Sequence, residues 1–139
     1  MKHKNLVVSG LAVFAVFQII DFVTHGILLA PLYDATSELW RPDDQMMSNT
    51  WIMLLVGLIW AFIFVYIFSF VRRAAGIGEG IRYGFCIGLF FSLPMAFNTY
   101  AVMPVPLELS LGWLAGGVAN NIICGAVAAL AYKPQQSAE

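Results

Sequence analysis

Gln18, Asp21 and His25 stand at i, i+3 and i+7 within a run that is otherwise apolar. In an α-helix that spacing puts an amide, a carboxylate and an imidazole on one face, with Phe14 and Leu28 extending the same stripe. An acid and an imidazole four residues apart can hydrogen-bond directly, and such a pair can hold a proton, take a cation or grip a small polar ligand. Asp21 is the one carboxylate deep inside an apolar run. Removing it from water is costly, so it must protonate or find a partner, and it belongs toward a protein interior.

Other chemistry finds less support. One carboxylate and one histidine fall short of the ligands that zinc or non-haem iron needs, and the Glu-x-x-His pairs of di-iron bundles are missing. Haem on His25 would need a second axial ligand from another protomer or a five-coordinate iron. Neither a metal nor another cofactor is therefore expected. Ser9, Ser69 and Ser92 lie at other depths from His25, so no Ser-His-Asp set forms. Gly76-Ile77-Gly78-Glu79-Gly80 follows no strand and reads as a turn, not a phosphate loop. Cys86 and Cys124 fall in apolar runs at no metal-motif spacing and read as small hydrophobes.

What surrounds the polar triplet decides its setting. The 139 residues are 60% hydrophobic and only 11% charged, with a mean hydropathy of +0.81. A soluble chain this short could not hide so much apolar surface. Four runs reach the roughly 20 residues needed to cross a membrane as helix, and they are continuous instead of alternating, which excludes membrane strands. The expected fold is an all-α, integral membrane bundle of four transmembrane helices in a single domain, 1–139. Its spans cover about 6–30, 50–71, 81–103 and 108–132. A polar loop, 33–49, joins the first two, and a short turn, 72–80, joins the middle two. The first span is read as an uncleaved helix ended by Pro31, and Pro94 is expected to kink the third. A net charge of −1 argues against nucleic acid as a partner.

Basic residues set the orientation. Lys2, Lys4, Arg72, Arg73, Arg82 and Lys133 fall on one side and Arg41 alone on the other. The positive-inside rule puts both termini in the cytoplasm, as in a multi-pass protein of a bacterial inner membrane. Tyr33 and Trp40 then suit the outer interfacial belt, beside the acidic loop that carries Asp34, Glu38, Asp43 and Asp44. At 1.5 Å per residue Asp21 sits roughly 24 Å above Asn5, in the outer half. Asn98 and Thr99 share that layer and Asn120 and Asn121 lie near the middle, so Asn98 and Asn121 are expected to join Gln18, Asp21 and His25. The competing reading of the asparagines is interhelical glue.

In lipid, close backbone approach replaces the hydrophobic drive, so small residues four apart mark contact faces. Gly84 with Gly88, Gly112 with Gly116, and Gly117 with Asn121 and Gly125 are such faces. They serve either the bundle itself or contacts between protomers.

The second half of the chain carries Gly80-Ile81-Arg82-Tyr83-Gly84, Gly88-Leu89, the Pro104/Pro106 turn, Trp113, Gly116-Gly117 and a closing Tyr132-Lys133-Pro134. This pattern resembles that of small four-helix membrane proteins of bacteria without assigned activity. The resemblance implies the topology and transfers no site residue.

The function expected is therefore non-enzymatic. A polar site in the outer half of the membrane would hold a proton, a cation or a small polar ligand, with the bilayer as partner and assembly into a homo-oligomer or larger complex through the glycine faces. Two alternatives stand beside it. One is an accessory or assembly subunit of a larger membrane complex. The other is a membrane enzyme, or a haem or metal protein, using Asp21 and His25.

Overall fold

The computed structural model describes residues 2–72 and 76–132, and among them every element is helical. Arg73 and Lys133 of the charge count lie outside the described residues, as do part of the turn at 72–80 and the tail. In chain order the elements are α1 (Lys2–Asp21), a π-helical turn (Phe22–Leu28), α2 (Ala30–Asp34), a 3-10 turn (Ser37–Leu39), α3 (Asp43–Ser48), α4 (Thr50–Val71), α5 (Ile77–Val102) and α6 (Leu107–Ala131). Four rods are long and apolar enough to cross a membrane: α1 with its π turn, α4, α5 and α6. The chain is a multi-pass membrane helix bundle.

Neighbouring rods run antiparallel. Going along α1, Val13 meets Cys124 of α6, Phe17 meets Asn120, and Thr24 and Leu29 face Gly116 and Gly112. α4 packs on the other flank of α1, with Phe62 against Gly10 and Gly57 against Gln18, Phe17 and Phe14. The start of α1 and the end of α6 therefore lie at one end, and the 29–49 and 103–106 connections lie at the other. α6 is the hub between α1 and α5: 33% of its apolar window is buried, against 17% for each of those neighbours. Most of every rod thus faces outward, as a bundle solvated by lipid requires.

The tightest seam joins α5 to α6. A Cβ placed on Gly80 would fall onto the Gly125 carbonyl, and one on Gly125 onto that of Gly80; a Cβ on Gly84 would fall onto the Asn121 carbonyl. Gly88 faces Val118 and Asn121, and Gly117 faces Ser92. Every glycine of the small-residue faces meets this chain's own helices, and Gly80 joins them. Pro94 lies inside α5, which runs on through it to Val102.

Two apolar cores result, one at each end. Val13, Phe64, Val65, Phe68, Tyr83, Cys124 and Ala128 build the one nearer the termini. There the Tyr83 hydroxyl donates to the Phe64 carbonyl at 2.7 Å, which ties α5 to α4. Leu29, Ala96, Val105, Leu109 and Trp113 build the one under the loops.

Arg72 closes the first of these ends. Its guanidinium lies 5.7 Å from the centre of the Phe68 ring and donates to the carbonyls of Ala129, in the last turn of α6, and Tyr132, its C-cap. A cation there satisfies orphan carbonyls and complements the helix dipole. Because the side chain is only half-buried, Arg72→Ala is expected to cost about 1 kcal/mol. Equilibrium unfolding in detergent, followed by circular dichroism, would measure it, and Arg72→Lys should recover part of the loss.

Candidate functional site

The site forms where the first rod changes its winding. At Phe22 the backbone passes from α to π, and the turn closes with the Leu29 amide donating to the Thr24 carbonyl at 2.9 Å. Gly26 has low helix propensity, and Pro31 lacks an amide hydrogen. Pro31 is accommodated in the first turn of α2, where that hydrogen would be unpaired anyway. The π turn thus takes the place of the straight α-helix expected as far as Pro31. Thr24 and Leu29 are its pegs, buried against Gly116 and Gly112.

This winding brings four polar groups into a row. His25 Nε2 lies 3.7 Å from Asp21 Oδ1. On its other side, His25 Nδ1 lies 2.7 Å from the Tyr33 hydroxyl. The same hydroxyl accepts the Trp113 indole N–H from α6 at 2.6 Å. Trp40 packs edge-on against both Tyr33 and Trp113, with ring centres 5.4 and 6.2 Å away. It gives its N–H to Thr36 Oγ1 at 3.0 Å, and Thr36 gives its hydroxyl to the Leu32 carbonyl at 2.8 Å. The 29–40 segment is therefore clasped onto α6 by aromatic rings whose polar ends are all used.

Burial divides the row. Trp113 is 6% exposed, whereas the His25 and Asp21 side chains are 38% and 47% exposed. Tyr33 lies between them. Its burial pushes the phenol above its ordinary value; the Trp113 N–H opposes this and the Asp21 charge adds to it. The phenol therefore keeps its proton through the neutral range. The stability tied to that proton is fully present below the ordinary tyrosine range and is lost only as pH rises through the higher folded value.

The expected partners are dispersed. Gln18 turns its Oε1 toward Gly57 of α4. Asn98 is exposed on α5, a helix that packs on α6 and not along α1. Asn121 is buried in the α5–α6 seam and donates to the Gly117 carbonyl of its own helix at 2.8 Å. Asn120 stands on the other flank of α6, donating to the Phe17 carbonyl at 3.4 Å and accepting from the Cys124 thiol at 3.4 Å. Of the expected set, the geometry brings together Asp21 and His25. It adds Tyr33, expected in the interfacial belt, and Trp113, which carries part of the resemblance. Depth carries part of the signal, since Tyr33, Trp40 and Trp113 all fall at the same outer level and a buried tyrosine or tryptophan seeks a partner for its polar end, but depth does not say which of them meet.

No three His, Cys, Asp or Glu side chains converge among the described residues. Comparison of the chain with family models, curated proteins and solved structures returns no match.

Proposed function

We propose that the protein is a small, non-enzymatic multi-pass protein of a bacterial cytoplasmic membrane that takes up a proton or a small cation at Asp21 and His25 from the outer side. Lys4, Arg72 and Arg82 at the termini end favour that end as cytoplasmic. At the opposite end Asp34, Glu38, Asp43, Asp44 and Glu108 are exposed with Arg41 alone to balance them, a field that attracts cations. The single observation carrying the reading is the exposure of the pair. A carboxylate that served as glue would be spent on a neighbouring helix, but Asp21 pairs with His25 on its own rod and keeps an oxygen open.

A second reading has its own observation. α3 and the first two turns of α4 are exposed along their whole length, Met47, Trp51 and Met53 among them. This favours an accessory subunit that docks there.

Equilibrium dialysis of the detergent-purified protein with radioactive sodium or rubidium tests the first reading. Saturable binding is expected for the wild type, and Asp21→Asn is expected to weaken it at least about tenfold, the cost of losing a charge-assisted contact. Asp21→Asn binding like the wild type would sink the proposal. A partner that copurifies with both would favour the subunit reading, and a metal or chromophore lost with His25 would favour a metal or haem one.

A further inference from the structure

We infer that the cleft between α4 and α5 is a lipid site, which takes one acyl chain of an anionic phospholipid and keeps the phosphate of that lipid near Arg72. The cleft lies in the half of the bundle away from Asp21 and His25, and neither site depends on the other.

The order of the rods creates the cleft. α4 packs on α1 and α5 packs on α6, so α4 and α5 flank the central pair and their backbones scarcely approach each other. α5 spends its glycine face on α6, which leaves Tyr83, Ile87 and Phe91 turned toward α4. They meet Ile63, Phe64 and Ile67 across a half-enclosed space of about 250 Å³. Tyr83 bridges it at one end, with its ring 4.7 Å from that of Phe64 and its hydroxyl donating to the Phe64 carbonyl. Trp60, stacked 4.7 Å from Phe17 of α1, stands at the other. The phenolic hydrogen is thus already used, and the walls offer a ligand almost nothing but carbon.

Shape selects the occupant. Tyr83 and Phe91 are eight positions apart, roughly 12 Å along α5. Spread over that length, the space is a slot roughly 5 Å across, too narrow for a second helix of about 10–12 Å and wide enough for one extended hydrocarbon chain. The four long apolar rods put the slot in the hydrocarbon layer, and its length is close to the roughly 15 Å of one leaflet. A chain lying in it touches protein on two walls, where the outer face of a rod offers one, and gains dispersion contacts accordingly.

Charge selects the head group. The Phe68 ring lies 5.2 Å from that of Tyr83, and the Arg72 guanidinium stands over the other side of the cluster, 5.7 Å from the centre of Phe68. A cation therefore sits one ring beyond the bridged end of the slot, where the apolar rod α4 stops. Its hydrogen bonds to the α6 carbonyls hold it there without neutralising it. Lys4 and Arg82 add positive charge at this end, against Glu79. Basic residues so placed beside a groove between membrane helices recruit anionic lipid head groups.

Native mass spectrometry of the full-length protein, released from detergent with added palmitoyl-oleoyl phosphatidylglycerol or the phosphatidylcholine of the same chains, tests this. The wild type is expected to keep one phosphatidylglycerol at a lipid concentration at least about tenfold below that needed for phosphatidylcholine, the effect of more than one basic residue. Arg72→Gln should reduce that ratio about fivefold, the share of one such residue. Ile87→Trp and Ile63→Trp fill the slot from opposite walls, and each should remove the single tight adduct in protein whose circular dichroism melt matches the wild type. Ile59→Trp, on the exposed side of α4, should keep it. The ratio for the two lipids is read on the wild type, so the test holds even where a filled slot impairs folding. Equal retention of the two lipids, a ratio that survives Arg72→Gln, or an adduct undiminished by both slot-filling tryptophans would overturn the inference.

Discussion

Gly84→Ala is expected to cost the bundle about 3 kcal/mol or more, although alanine is the better helix former by nearly 1 kcal/mol. The added methyl would land on the Asn121 carbonyl, which belongs to the backbone of α6 and cannot turn aside. Relief requires the two helices to separate, and separation forfeits the dispersion contacts that replace the hydrophobic drive in lipid. Gly80→Ala and Gly125→Ala meet each other's carbonyls and should behave alike. Their combination should cost less than the sum, because one widening of the seam accommodates both methyls. The series changes sign along a single helix. Gly88→Ala brings its methyl to 3.0 Å from the Asn121 Cβ and the Val118 Cα. A small adjustment there is offset by helix propensity, leaving the change near neutral. Gly78→Ala has no atom of the described structure within 4 Å. It should stabilise by about 0.5–1 kcal/mol. Unfolding by titration with a denaturing detergent, followed by tryptophan fluorescence, would rank the five variants. Equal losses at Gly84 and Gly88 would show that helix propensity or general crowding, not this backbone contact, sets the cost.

This ranking separates what the sequence discloses from what it does not. Four long apolar helices are legible because span length and composition answer to the bilayer alone. The i, i+4 spacing of Gly84 and Gly88, and of Gly112 and Gly116, is also legible as a contact face. Which helix each face meets is not, since that depends on the order of the rods around the bundle, and spacing carries no information about order. The same blindness dispersed the expected site. Asn98 shares the depth of Asp21, but depth is one coordinate, and α5 packs on the far flank of α6. Asp21 and His25 stay together because four residues of one rod are close in either winding. Tyr33 was obscured for the opposite reason: it lies beyond Pro31, which reads as the end of a helix, and the π turn that carries the chain past it has no sequence signature comparable to a heptad or a cap. The carboxylate's need for a partner was legible; the indole that orders the row from a helix eighty residues away was not.

Trp113→Ala is expected to cost about 3–5 kcal/mol and to free the 29–40 segment from α6. The indole is the largest side chain of the core under the loops, touching the cluster of Leu29, Ala96, Val105 and Leu109. It also gives Tyr33 its only indole donor and Trp40 a ring to pack against. Trp113→Phe separates these roles. A ring remains to fill most of the space, so the expected loss is about 1 kcal/mol, that of one hydrogen bond. Tyr33 is then left with a spare lone pair, a cheaper deficit than a stranded hydrogen, and its hydroxyl is free to rotate. A ring still meets Trp40, so amide-exchange protection of 29–40 should fall less than in Trp113→Ala. If both variants instead lost protection equally, the indole N–H and not the ring's volume would be what holds the segment. The seam between α5 and α6 provides the internal control. Trp113 and Asn121, the residue that faces Gly84, are eight positions apart on α6, roughly 12 Å along the helix. At that separation, with no shared partner, costs are expected to add within about 0.5 kcal/mol. Gly84→Ala combined with Trp113→Phe should therefore lose the sum of the two. An excess loss in the pair would mean that α6 transmits strain from one core to the other, and that the outer segment senses the packing of the opposite end of the bundle.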